Sequence, residues 1–151
     1  LVIGMGNIGS RVAEKMSGFL KVKAYDVLQN TASELKDLIV SADCITLHMP
    51  KSQENIHFMD SEKLSWMKDG AVLINTARGA IVEEEALLKE IESLRLRAAF
   101  DVYWQEPYLG KLNKYHPDRF YMTPHVASTC NRFLEGCRKG LDILIEDLSS
   151  A

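Results

Sequence analysis

Several features that would direct the reading elsewhere are missing from this chain of 151 residues. No apolar run approaches the roughly 20 residues that a membrane-spanning helix needs. There is no surplus of basic residues: the net charge is −3, which leaves no electrostatic footprint for nucleic acid. Cysteine is scarce. Cys44, Cys130 and Cys137 cannot all pair within one chain, and their spacing fits no zinc pattern. Their apolar neighbours suit reduced, buried thiols of a cytoplasmic protein. The four histidines are scattered, with no pair at helical ligand spacing, so no metal is expected. No basic-then-apolar leader opens the chain, and no internal repeat, low-complexity run or linker divides it. What is present, 46% hydrophobic and 26% charged residues, suits one soluble domain over residues 1–151.

Short apolar runs alternate with amphipathic stretches. Residues 1–3, 20–25, 44–47, 71–74, 98–102 and 120–122 read as strands. Helices are expected over 8–17 and 32–40. A third should be capped by Asp60 or Ser61, run to Lys68 and stop at Gly70. A fourth should hold Glu83, Glu84 and Glu85 in its first turn, where acids suit the positive helix end. Near-continuous apolar strands separated by helices indicate a parallel sheet covered on both faces. A last helix, about 131–148, carries Leu134, Cys137, Leu141, Leu144 and Leu148 on one stripe. That seam packs either on its own sheet or against another subunit or domain.

Gly4-x-Gly6-x-x-Gly9 follows the first strand and opens the first helix, the context a dinucleotide-binding turn requires. Gly4 permits the tight turn, Gly6 lets the backbone approach a pyrophosphate, and Gly9 lets helix and strand pack closely. The helix N-terminus then offers free N–H groups to phosphate. The plainer alternative is an ordinary strand-to-helix turn, and Asp26 decides between them. It lies 17 residues after Gly9, at the end of the next strand, near where a ribose-binding acid is expected. A carboxylate there repels a 2′-phosphate and no arginine follows closely, so NAD is favoured over NADP.

Three polar groups sit just after strands, where an open parallel sheet places its ligands. Arg78 lies in Asn75-Thr76-Ala77-Arg78-Gly79, Glu106 in the run from Asp101-Val102 to Glu106-Pro107, and His125 in Thr123-Pro124-His125. Singly they would read as a surface charge, a solvated acid and a satisfied core histidine. Together with Leu47-His48-Met49-Pro50 and the glycine turn, they resemble the D-isomer-specific 2-hydroxyacid dehydrogenases, over nearly the whole chain. That resemblance implies a Rossmann-type, doubly wound parallel sheet in three α/β/α layers. It implies His125 as acid/base, Glu106 as its partner and Arg78 as anchor for a small 2-keto or 2-hydroxy acid. It also implies cofactor contacts at Gly4, Gly6, Asn7, Ile8, Gly9, Asp26, Met49, Pro50, Thr76, Ala77, Arg78, Asp101, His125 and Ser128. Asp101 would orient the nicotinamide carboxamide. His48 reads equally as structural or as a cofactor contact, while His57 and His116 should be exposed. Family members pair through this domain, so a homodimer is expected.

Phosphoglycerate dehydrogenase-like and glyoxylate/hydroxypyruvate reductase activities both remain open. Formate dehydrogenases fit less well, because that branch resembles a glutamine at the place of Glu106. An NAD-sensing corepressor-like binding module and a non-catalytic dimerisation domain are the alternatives of other classes. The family's separate substrate domain is not in this sequence, so the chain reads as a fragment with little activity of its own. Between Asp26 and Ala32 the chain is also much shorter than the family's helix-and-strand crossover. Either a strand is lost or residues are missing there. The second is favoured, because residues 28–31 do not look like a turn.

Overall fold

The computed structural model describes residues 1–127 and Glu135. Six strands form one sheet: β1 (Val2–Ile3), β2 (Ala24–Tyr25), β3 (Cys44–Leu47), β4 (Val72–Asn75), β5 (Arg97–Phe100) and β6 (Phe120–Met122). Every pairing is parallel and the order is β2-β1-β3-β4-β5-β6. Among the described residues four α-helices accompany them: α1 (Asn7–Ser17), α2 (Ala32–Ser41), α3 (Ser61–Ser65) and α4 (Glu84–Glu92). The expected helix over 131–148, with its stripe, lies outside the described residues, as do Ser128, Cys130 and Cys137. Among the described residues no helix is long and apolar enough to cross a membrane.

The winding reverses once. From β1 the chain steps outward to β2, then returns past β1 to β3 and continues away through β4, β5 and β6. Parallel crossovers are right-handed, so helices of the two winding directions fall on opposite faces. This is the doubly wound Rossmann-type sheet that the sequence implied. The reversal leaves a crevice between the C-terminal ends of β1 and β3, where such sheets bind ligands. β3 and β4 alternate half-buried and buried residues, with Ile45, Leu47 and Leu73 fully enclosed. Against them α2 buries Leu35 and Ile39, and α4 buries Ala86, Leu87, Leu88 and Ile91.

β5 ends at Phe100, two residues before the expected bound, and Glu83 is the N-cap of α4 rather than part of its first turn; two other boundaries differ further. β2 begins at Ala24, and Leu20, expected in the strand, is exposed with Phe19 in a turn closed by their amides on the Met16 carbonyl. β2 is an edge strand facing only the two residues of β1, so a longer strand would find no partner. α3 keeps its Asp60 cap but ends at Ser65. There the Arg95 guanidinium takes over the freed carbonyls, donating to Leu64 (2.6 Å) and Met67 (2.5 Å) while Nε pairs with Glu90 at 2.6 Å. Arg95→Ala removes these charge-assisted bonds together, and should lower the unfolding free energy by about 2 kcal/mol in denaturant titration.

The stretch after Asp26 is a correction. Where no turn was expected at 28–31, residues 27–29 form one: the Asp26 carbonyl accepts from the Gln29 and Asn30 amides, and its amide donates to Asn30 Oδ1 at 3.0 Å. Thr31 then caps α2 in a reciprocal box with Glu34. The pattern was missed because Asp26 and Asn30 act as a pair four residues apart, across the apolar Val27 and Leu28. Residues 26–43 suffice for the parallel crossover, and β2 is left as the edge.

Candidate functional site

The glycine turn sits in the crevice between β1 and β3. Gly4 has φ +90°, and a Cβ there would lie 2.6 Å from the His48 carbonyl oxygen. A Cβ on Gly9 would overlap the Gly4 carbonyl oxygen and approach His48 Cβ at 3.2 Å. Gly4, Gly9 and the His48–Met49 backbone are therefore packed against one another, with Met49 buried and Pro50 exposed. Gly6 is different: nothing lies within 4 Å of where its Cβ would be. It is the N-cap of α1 and supplies no side chain, and that first turn carries no acid. The Asn7 and Ile8 side chains are exposed beside it. His48 donates its amide to Ile3, and its Nε2 lies 3.0 Å from Thr46 Oγ1. Burial pushes its pKa below the ordinary histidine value. Its surroundings are those of a packing residue.

Asp26 closes the same crevice. One carboxylate oxygen accepts from the Met5 amide (2.8 Å) and the other from Leu28 (3.0 Å). These amides, Leu28 first, hold the carboxyl below its usual range. Each oxygen retains a lone pair, so the anion can still accept hydroxyl donors.

The second cluster lies at the C-terminal ends of β4, β5 and β6. His125 Nδ1 meets both oxygens of Glu106, at 3.0 and 2.9 Å, with each side chain about two-fifths exposed. The hydrogen bond with His125, aided by the Tyr103 amide, keeps the Glu106 carboxyl below its ordinary range. His125 itself has φ +53°, in the left-handed region, with its amide on the Thr123 carbonyl. A mostly apolar cavity of about 380 Å³ adjoins the pair, walled by Tyr103, Pro107, Tyr108 and Met122.

Asp101, at the end of β5, is buried beneath this loop. It accepts from Thr123 Oγ1 (2.5 Å) and from the Val126 and Ala127 amides (2.9 Å each). Burial alone would raise its pKa, but these bonds outweigh it and the carboxyl is held low. With the folded pKa depressed below 3.8, its stabilisation is complete above that value. It is lost as pH falls through the lower folded value. Asp101→Asn, which lacks this titration, should show a shallower loss of thermal stability below about pH 4 than the parent chain.

Arg78 is exposed, and among the described residues its side chain makes one hydrogen bond, from Nη1 to the Ala77 carbonyl. Among the described residues no bond joins its side chain to Glu106 or His125. Its backbone is held by Asn75, which is fully buried: Oδ1 accepts from the Ala77 amide and Nδ2 donates to the Arg78 carbonyl, both at 3.0 Å. Thr76 is exposed beside it. Asn75 went unassigned in the sequence, although a lone amide ending an apolar strand is the signal for a loop staple. His57 and His116 are exposed as expected, but His116 Nδ1 also accepts the Met122 amide at 3.2 Å.

Residues 1–127 match the family model of the D-isomer specific 2-hydroxyacid dehydrogenase, NAD binding domain. The chain belongs to this family. It is 34% identical over 138 residues to a hydroxypyruvate reductase of Thermotoga maritima, covering 85% of this chain and 45% of the relative. It is 40% identical over 140 residues to a D-3-phosphoglycerate dehydrogenase of Synechocystis, covering 85% of this chain and 25% of that one. Among solved structures, the D-lactate dehydrogenase of Aquifex aeolicus complexed with NAD and lactic acid superposes with a TM-score of 0.85. The two share 30% identity, over 99% of this chain and 52% of that one. The chain thus spans between a quarter and about half of the length of these relatives.

The residues present fit NAD. An α1 N-terminus without a side-chain cap offers its amides to phosphate, and the space over Gly6 lets them be reached. Asp26, held anionic at the end of β2, suits a ribose diol and disfavours a 2′-phosphate.

Proposed function

We propose that this domain serves an NAD-dependent enzyme that interconverts a 2-keto acid and a D-2-hydroxy acid. The observation that carries the reading is the bidentate approach of His125 Nδ1 to the Glu106 carboxylate at the sheet's C-terminal end. Gly4, Gly6, Asn7, Ile8, Gly9 and Asp26 would hold the pyrophosphate and adenosine ribose, and Met49, Pro50, Thr76, Ala77 and Asp101 the remainder of the cofactor. When bound, the nicotinamide supplies or accepts the hydride. Everything else falls to the protein's side chains.

An anionic Glu106 can only accept, so Nδ1 of His125 donates to it and Nε2 is left for substrate. In the reducing direction, protonated His125 gives its Nε2 proton to the substrate carbonyl oxygen as negative charge develops there. In oxidation the neutral ring removes the hydroxyl proton. Glu106 stabilises the cationic ring throughout. Arg78, free of any ion pair among the described residues, presents a planar fork to the substrate carboxylate.

The relatives' names point to hydroxypyruvate, glyoxylate, phosphoglycerate or lactate chemistry. We favour a phosphoglycerate dehydrogenase-like enzyme or a glyoxylate/hydroxypyruvate reductase, working as a homodimer. Turnover of phosphohydroxypyruvate, glyoxylate and hydroxypyruvate by the intact parent protein tests this. Activity on one of them is expected, and inactivity on every 2-keto acid would refute the assignment.

A further inference from the structure

One residue, Tyr103, ties the segment that carries Glu106 to the segment that carries His125. The Tyr103 amide donates to Glu106 Oε1 at 3.2 Å. Its hydroxyl lies 2.8 Å from the Thr123 carbonyl and 2.9 Å from that of Phe100, one proton shared between two acceptors. The Thr123 carbonyl also receives the His125 amide, so the Tyr103 hydroxyl and the His125 backbone converge on one oxygen. The ring is fixed by stacking on Tyr108, with centroids 5.1 Å apart and an interplanar angle of 20°. Tyr108 is in turn tied to α4 through Glu84 at 2.7 Å. From the opposite side, Gly79 presses against the Tyr103 carbonyl. A Cβ there would overlap the Tyr103 peptide and lie 2.5 Å from the Trp104 nitrogen.

We propose that Tyr103 is a positioning residue that sets the alignment of Glu106 on His125, with Gly79 as the contact that keeps Tyr103 seated. The inference rests on the acid/base reading of that pair. Without the hydroxyl, no other bond among the described residues links the Thr123 carbonyl to the segment bearing Glu106. The Thr123 amide stays on Phe100 and its hydroxyl on Asp101, but its peptide plane is freed to tilt, and Nδ1 loses its fixed acceptor geometry. Burial raises the Tyr103 pKa, so the hydroxyl remains a donor across the working range. The effect should appear in the imidazole itself. A neutral His125 aligned on Glu106 carries its proton on Nδ1; a misaligned one reverts toward the mixture of tautomers found in free imidazole.

Nitrogen NMR of His125 in the 151-residue chain, at a pH where the ring is neutral, reads this directly. In the parent chain Nδ1 should be pyrrole-like and Nε2 pyridine-like. In Tyr103→Phe the Nε2 resonance should shift toward the pyrrole-like position, in the direction shown by Glu106→Ala. Gly79→Ala should do the same, and either variant decides the question if the other fails to fold. Arg95→Ala, which loosens the fold elsewhere, should leave the tautomer unchanged. A tautomer unaltered in Tyr103→Phe, or shifted equally in Arg95→Ala, would overturn the positioning role alone. A parent chain without the Nδ1 proton would overturn the acid/base pair itself.

Discussion

His125→Asn in the intact parent enzyme is expected to lower kcat by about 10²–10⁴-fold, the usual contribution of a positioned acid/base group. Asparagine is chosen because His125 has φ +53°, a conformation that asparagine tolerates better than most residues. The loop should therefore keep its shape, with the Val126 and Ala127 amides still on Asp101. Cofactor affinity should change little, since the glycine turn and Asp26 lie toward the opposite edge of the sheet. Loss confined to kcat and kcat/KM marks an interaction made in the transition state. Replacing Arg78 should show the complementary pattern, with KM rising because the substrate carboxylate loses its partner. Steady-state kinetics of both variants separates the two roles. An unchanged kcat in His125→Asn would remove the histidine from the chemistry.

Gly9→Ala and Gly6→Ala should fail in opposite ways. A methyl on Gly9 meets the Gly4 carbonyl, which cannot move without dislodging the turn from the His48 backbone. Overpacking against side chains costs about 1–3 kcal/mol, and a backbone obstacle belongs at the upper end of that range. Gly9→Ala is therefore expected to lower stability in the absence of any ligand. Gly6→Ala meets nothing in the chain and should unfold like the parent. Its methyl would instead stand where the phosphates must approach. NAD affinity should fall at least roughly tenfold, about 1.4 kcal/mol. Denaturation and cofactor titration of the pair distinguish a residue needed by the fold from one needed by the ligand. Equal behaviour of the two would contradict the division.

The glycine turn and the three groups after β4, β5 and β6 were legible because each is tied to a strand end, and strand ends are marked by apolar runs. β3 and β6 fall where their apolar residues stop. What stayed hidden depends on particular side-chain partners, some distant in sequence and some local. α3 stops three residues short of Lys68, where Arg95, from the loop between α4 and β5, bonds the Leu64 and Met67 carbonyls. The turn after Asp26 and the staple by Asn75 are side-chain bonds to backbone that no periodicity reports. Asp101 was read as a cofactor contact, yet its visible task is to hold the loop of His125. Tyr103 carries no motif of its own, and its hydroxyl reaches the Thr123 carbonyl only once β6 lies alongside β5.

The most direct measurement is titration of the purified chain with NAD and with NADP, repeated on Asp26→Ala. The parent should bind NAD in clear preference to NADP. Removing the carboxylate should weaken NAD and erase much of that preference, because the ribose diol loses its acceptor and a 2′-phosphate is no longer repelled. The carboxyl is held low by the Leu28 and Met5 amides, so NAD affinity should stay level from neutral pH down to about pH 4 and decline only below it. Equal NAD affinity in parent and variant, or a parent that prefers NADP, would contradict the placement of the cofactor between β1 and β3 with Asp26 on its ribose.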